Sequence, residues 1–242
     1  MTTILERRAI VRLAPREDNE DVRAFLQGLV TNDVSGDLPV YAALLSAQGK
    51  AMFDFLVWDG GDGALLLDCE ADAAAELAKR LSLYRLRRAI DIGVDETLAV
   101  HWSTEPFNGD KPDPRLSELG YRSVGAKTDT EAGDEAYITH RLALGVPEGR
   151  DELGDVLWLE TNAVELNGVS FEKGCYIGQE NTARMNWRQK VNRRLVVVPL
   201  DQSTEKRRKT AYPDLALAVD HLRIADLEDI ALPDWQKAGL PD

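Results

Sequence analysis

The sequence predicts an α+β fold, with antiparallel strands grouped around a few packed helices. Short apolar runs stand close together and are separated by turn signals such as Asp59-Gly60-Gly61-Asp62-Gly63. Two longer stretches place apolar residues on one helical face. The elements run strand, helix, strand pair, strand, helix, strand pair, an order that gathers strands around helices.

Met1 to Leu13 reads as a short strand. Asp18-Asn19 offers an N-cap, and Val22, Phe25, Leu26 and Leu29 then recur at i, i+3, i+4 and i+7. That helix ends near Thr31-Asn32-Asp33, before a turn at Ser35-Gly36-Asp37. Tyr41 to Ser46 and Met52 to Trp58, joined by Ala47-Gln48-Gly49-Lys50, read as a β-hairpin. Ala64 to Asp68 is a strand ending at Cys69, a structural cysteine by its place in an apolar run. Ala71 to Tyr84 is a helix with Leu77, Leu81 and Tyr84 on one face, and strands follow at Ala89–Val94 and Thr97–Trp102.

Glu105 to Arg115, with Pro106, Gly109, Pro112 and Pro114, reads as a loop or a seam between subdomains. A strand at Gly120–Val124 precedes a helix at Glu131–Leu144, with Gly145 as its C′ residue and Pro147 as its stop. Leu157–Glu160 reads as a short strand, Glu180–Trp187 as a helix and Leu195–Leu200 as a strand. Further short runs follow at Leu215–Val219 and His221–Ile230. The expected boundaries are an N-terminal α+β subdomain at 1–103, a middle subdomain at 104–194 and a C-terminal β region at 195–242.

The formal charge of −13 sets most of the surface against nucleic acid and anionic membrane. No apolar run is long enough for a transmembrane helix, and the first residues lack the apolar core of a secretory signal. The two cysteines, Cys69 and Cys175, form no disulfide framework and no CxxC pair. These features point to the cytoplasm. His101, His140 and His221 lack zinc-site spacing, so no metal site is expected. From Arg184 to Lys209 the charge reverses: Arg184, Arg188, Lys190, Arg193, Arg194, Lys206, Arg207, Arg208 and Lys209 stand against only Asp201 and Glu205. This basic island reads either as a solvated charged face or as an anion site.

The densest chemical signal is Phe171-Glu172-Lys173-Gly174-Cys175-Tyr176-Ile177-Gly178-Gln179-Glu180. A thiol at the start of a helix would meet free N–H groups and the positive end of the macrodipole, both of which favour thiolate. Lys173 would add to this if it pointed the same way. Gly174 and Gly178 permit tight backbone and close approach.

Lys173-Gly174-Cys175-Tyr176-x-Gly178-Gln179-Glu180 resembles the signature of the YgfZ family, folate-binding proteins related to the aminomethyltransferase of the glycine cleavage system. Further likenesses run through Phe25–Val34, Leu44–Asp54, Tyr84–Ala89 and Arg141–Gly149, and the resemblance covers roughly Glu20 to Leu200. It implies the aminomethyltransferase-like α+β fold with ferredoxin-like subdomains. The family's glycine-rich C-terminal barrel is shortened here, since Asp201–Tyr212 holds no glycine.

The resemblance also implies tetrahydrofolate, or a one-carbon derivative, as cofactor. It implies iron–sulfur client or assembly proteins as partners and a link to tRNA modification. On it, Cys175, Lys173 and Asp33 are candidates for chemistry. Asn32, Glu160, Asn162, Tyr176, Gly178, Gln179, Glu180 and Arg184 are candidates for folate binding, with Trp158 and Trp187 as walls and Arg188 and Arg194 for the glutamate tail. The Cys175 thiolate would attack a disulfide, scavenge a reactive group or ligate iron. Two other readings stand beside this one: a folate-dependent one-carbon transferase, and a non-catalytic module docking RNA or protein through Arg184–Lys209.

Overall fold

The computed structural model describes residues 2–107, 109–187 and 191–240. Its elements run β1 (Thr3–Ile4), β2 (Arg8–Pro15), α1 (Val22–Gln27), β3 (Val40–Leu45), β4 (Ala51–Asp59), β5 (Leu65–Glu70) and α2 (Ala71–Arg85). There follow β6 (Ile90–Val94), β7 (Leu98–Ser103), β8 (Lys111–Pro112), β9 (Tyr121–Ala126), α3 (Asp134–Ala143) and α4 (Arg150–Leu153). The chain closes with a 3-10 turn at Trp158–Thr161, then α5 (Gln179–Trp187), β10 (Arg193–Pro199), β11 (Arg208–Tyr212), β12 (Leu217–Arg223) and α6 (Asp234–Lys237).

Three antiparallel sheets result: a 5-stranded sheet in the order β3-β4-β5-β2-β6, a 4-stranded sheet β1-β7-β9-β8 and a 3-stranded sheet β10-β12-β11. The strand expected from Met1 to Leu13 is in fact two strands in different sheets; Met1 itself lies outside the described residues. Glu6 and Arg7 turn the chain between them, their N–H groups donating to the Asp134 carboxylate at 2.9 and 2.8 Å. The segment expected as a strand at Leu157–Glu160 is the 3-10 turn. The charged stretch before Tyr212 contributes β11, and β12 joins the end of the first run after it to the start of the second, whose remainder begins with a 3-10 turn at Ile224–Asp226. Gly145 takes φ 74° and closes α3 as expected, with Gly145 N donating to Leu142 O at 3.0 Å and Val146 N to Arg141 O at 3.0 Å.

In the 5-stranded sheet β3, β4 and β5 are buried on both faces, which is why they read as nearly continuous apolar runs. Strand alternation sends Phe53, Phe55, Val57, Leu65 and Leu67 to a face covered by α1 and α2, through Val22, Phe25, Leu26, Leu77 and Leu81. The opposite face carries Ile10, Leu56, Trp58 and Leu66 and packs toward Val100, Trp102, Tyr137 and Trp158. The same alternation puts Arg8, Asp54 and Asp68 on that second face, inside the protein.

Candidate functional site

Cys175 is a free, exposed thiol between two buried neighbours, Lys173 and Tyr176. It stands in the loop four residues before Gln179, the first residue of α5, and not at a helix cap. The macrodipole acts within the first turn, so the expected helix-terminus activation does not apply here. Lys173 is directed elsewhere: its Nζ donates to Gln27 O at 2.6 Å and Val30 O at 2.5 Å, the carbonyls at the end of α1. It also lies 5.0 Å from the centroid of the Tyr176 ring. Burial lowers its pKa to about 8, with the charge of Asp33 opposing the shift. Lys173 therefore clasps the signature loop onto α1.

The other end of the loop is fixed by a glycine. Gly178 holds φ 82°, and a Cβ there would stand 2.6 Å from Ser46 O and 3.0 Å from Gly49 Cα. The turn of the β3–β4 hairpin thus meets the start of α5 backbone to backbone, and Asn181 Nδ2 adds a bond to Gln48 O at 2.9 Å. Gly178 serves this contact; Gly174, by contrast, has open space around it.

Asn32 and Asp33 brace the same region. Asn32 Nδ2 donates to Tyr41 O at 2.8 Å and Asn167 O at 2.7 Å. Asp33 Oδ1 accepts from Gln27 Nε2, Ser35 N and Ser35 Oγ. Those bonds, led by the Ser35 hydroxyl, hold its carboxyl below the usual range.

Deeper in the molecule lies a network of charged side chains that sequence reasoning missed. Arg8, Asp68, Asp113, Arg115 and Arg122 are all buried. Arg122 Nη1 meets Asp68 Oδ2 at 2.9 Å and its Nε meets Asp113 Oδ2 at 3.1 Å. Arg8 Nε meets Asp68 Oδ1 at 2.6 Å, and Arg115 Nη1 meets Glu148 Oε2 at 2.5 Å. Tyr137 donates its hydroxyl to Glu148 at 2.6 Å. Burial alone would raise Glu148, yet Arg8, Arg115, Arg122 and Arg141 together hold it well below the carboxylate range. Asp54, under the Tyr41 hydroxyl at 3.4 Å, goes the other way: burial raises its pKa to about 6 against the pull of Arg8. The available signal was an aspartate in the interior of each of two mostly apolar strands, Asp54 in β4 and Asp68 in β5.

A cavity of about 350 Å³ opens beside this network, among Arg8, Ala71, Ile138, Arg141, Glu148 and Tyr212. Two of its guanidinium groups carry a buried N–H without a hydrogen-bond partner, Arg8 Nη1 and Arg141 Nε. Arg8 Nη1 is 3.3 Å from Glu148 Oε1, close enough for charge attraction without hydrogen-bond geometry.

No family model matches the chain. It is 32% identical over 240 residues to the mitochondrial iron–sulfur cluster assembly factor IBA57 of Mus musculus, covering 81% of this chain and 65% of that protein. The factor of the same name from Homo sapiens is 32% identical over 222 residues, covering 74% and 61%. The mitochondrial IBA57 homolog of Neurospora crassa is 30% identical over 235 residues, covering 81% and 52%. The chain is similar over most of its length to the IBA57 iron–sulfur cluster assembly factors. The resemblance read from Lys173–Glu180 holds, and the chain spans between half and two thirds of the length of these curated relatives. Among solved structures, an aminomethyltransferase T of the glycine cleavage system from Bartonella henselae matches with TM-score 0.68 at 12% identity, covering 93% of this chain and 78% of that chain. The fold is the aminomethyltransferase fold, as the resemblance implied.

The sequence-predicted residues fall in three places. Asn32, Asp33, Lys173, Tyr176 and Gly178 gather around the end of α1 and the loop that presents Cys175. Glu160 and Asn162 face the C-terminal sheet instead. Glu160 Oε2 pairs with His221 at 2.9 Å, and buried Asn162 donates to Leu195 O at 2.9 Å. Gln179 begins α5, whose outer face carries Glu180, Arg184 and exposed Trp187, with Glu180 and Arg184 paired at 3.0 Å.

Trp158 is a buried core residue donating to Gly168 O at 3.0 Å. Arg194 is buried on Leu159 O and Glu165. Within the basic island Arg208 donates to Ser203 and Lys209 to Gly154 O, while Arg184 and Lys206 are exposed. Arg188 and Lys190 lie outside the described residues. Among the described residues, no helix is long and apolar enough to cross a membrane.

Proposed function

We propose that the chain is a tetrahydrofolate-binding accessory protein that supports assembly or repair of iron–sulfur proteins, with Cys175 as its working thiol. The observation that carries this is the presentation of Cys175. The thiol is free and exposed, in a loop pinned by Lys173 on one side and Gly178 on the other. A pinned, exposed thiol suits exchange with a partner's disulfide or a transient bond to cluster iron, delivered as cargo. Among the described residues no group of three or more His, Cys, Asp or Glu stands together to hold a metal ion, so further ligands to such iron would come from the partner. Two free cysteines suit a reducing compartment such as the cytoplasm.

The folate part of the reading rests on the YgfZ resemblance, and the cavity beside the charged network fits it. A pterin needs hydrogen-bond donors and acceptors at its edge and aromatic or apolar walls. Arg8, Arg141 and Glu148 line the cavity with charged groups, and Tyr137, Tyr212 and Ile138 give aromatic and apolar walls. Bound there, the folate would supply a one-carbon acceptor.

Anaerobic calorimetric titration with tetrahydrofolate tests the folate claim on wild type, Cys175→Ala and Ala71→Phe, which fills the cavity. Saturable binding kept in Cys175→Ala and lost in Ala71→Phe is the expected result. A wild type without saturation overturns it. Activity of an iron–sulfur enzyme in cells carrying only Cys175→Ala tests the thiol claim, and wild-type levels would overturn it.

A further inference from the structure

The cavity beside the charged network is sorted by charge from floor to mouth. Its floor is balanced: buried Arg141 meets Glu152 at 2.6 Å, and buried Arg8 meets Asp68 at 2.6 Å, with Glu148 Oε1 at 3.3 Å. Its mouth is not. The exposed charged residues of the lining are Glu6, Asp72 and Asp151, against Arg7 as the one exposed cation. Among the described residues none of these four forms an ion pair. Half-buried Glu70 and Asp134 add two carboxylates, and their hydrogen-bond donors are neutral amides. Arg150 N donates to Glu70 at 2.7 Å, and Glu6 N and Arg7 N donate to Asp134.

The cations next along the chain are engaged elsewhere. Arg150, beside Asp151, pairs with Glu76 at 2.8 Å and lies 4.8 Å from the centroid of the Phe53 ring. Lys209, in the strand that brings Tyr212 to the cavity, donates to Gly154 O at 2.7 Å. Among the described residues, none of the basic stretch Arg184–Lys209 lines the cavity. The exposed rim therefore carries three acids against one arginine.

We propose, resting on the reading of this cavity as the folate site, that its mouth selects folates with a single glutamate over those with a polyglutamate tail. A cavity of about 350 Å³ is near the small end of ligand pockets, ~300–1,000 Å³. Ring systems take the aromatic and apolar walls, which leaves the glutamate end at the mouth beside the unpaired acids. Each γ-linked glutamate beyond the first adds one carboxylate, ionised at neutral pH. Two like charges ~8 Å apart in water repel by a little under RT, about a factor of two in affinity. Two extra carboxylates against a rim with two net negative charges make four such pairs, roughly a 10-fold loss at low ionic strength. A tail that projects into water meets no wall, so charge and not length sets the preference.

The test compares anaerobic calorimetric titrations of the full chain with tetrahydrofolate and with its triglutamate, at ~20 mM and at ~1 M salt. The same titrations are made on the triple variant Glu6→Gln/Asp72→Asn/Asp151→Asn. The wild type should hold the monoglutamate roughly 10-fold more tightly at low salt and both ligands equally at high salt, where charges are screened beyond ~3 Å. The triple variant should keep a cooperative melting transition and show less than a ~2-fold preference at low salt. The salt comparison needs no variant, so the reasoning can fail on the wild type alone. Triglutamate bound as tightly as the monoglutamate at low salt, or more tightly, overturns the selection while the folate reading stands. A preference that high salt leaves unchanged is one of length and overturns it as well. Saturation by neither ligand overturns the folate reading and the selection together.

Discussion

Asp54→Asn should stabilise the protein, and by an amount that depends on pH. In the unfolded chain Asp54 loses its proton near 3.8; in the folded protein burial keeps it on until about pH 6. Between those values the native state holds more protons than the unfolded one, so stability from this group falls as pH rises through the window. At about 1.4 kcal/mol per pKa unit, ionisation of Asp54 in place costs about 3 kcal/mol. Asparagine mimics the protonated form and donates or accepts beside Tyr41 without a charge. The variant and the wild type should therefore be equally stable at pH 4, and the variant should be about 3 kcal/mol more stable at pH 8. Urea unfolding of both proteins across that range measures it. A constant difference, or an advantage for the wild type at pH 8, would show that Asp54 is held ionised by Arg8 and refute the reasoning.

Arg122→Met should cost about 3–5 kcal/mol, since it strips Asp68 and Asp113 of a buried partner; urea unfolding reads the loss. Lys173→Met leaves the carbonyls of Gln27 and Val30 without a donor, and about 1–3 kcal/mol is the expected cost. Because the folded pKa of Lys173, about 8, is below its ordinary 10.5, the unfolded chain holds more protons between those values. The wild type gains stability as pH rises through that window, so the cost of Lys173→Met should grow there. Gly178→Ala should cost about 2–4 kcal/mol, as its Cβ would stand 2.6 Å from Ser46 O at a left-handed backbone position. Cys175→Ser should change stability by less than about 0.5 kcal/mol, because the thiol is exposed; an intact melting curve with lost thiol labelling checks it.

Much of the fold was legible because its periodicities are clean. The hairpin around Gly49, the helices α1 and α2 and the close of α3 at Gly145 follow from spacing and turn chemistry. Leu157–Glu160 failed because a four-residue apolar run fits a strand or a tight helical turn equally well. The two strands before Pro15 merged in the sequence because the bend between them depends on Asp134, far along the chain.

The signature's residues also take structural places that the sequence did not show. Its lysine and second glycine look like chemistry beside a cysteine, yet Lys173 holds a helix end and Gly178 fits a hairpin. The charged network stayed hidden because its members come from segments scattered along the chain. Only the sheet's alternation brings Arg8, Asp54 and Asp68 to one face.

The clasp of Lys173 joins residues 143 and 146 positions apart. A contact of that span cannot form early during synthesis or refolding, since its loop must close before it gives any return. The N-terminal sheet and α1 must be standing before the lysine has carbonyls to find. On this argument the Cys175 loop is expected to take its place late in refolding, after the first hairpin and α1. Rates of thiol labelling would then serve as a clock for the final step of maturation, and a lesion anywhere in the first hairpin would register at Cys175 without touching it.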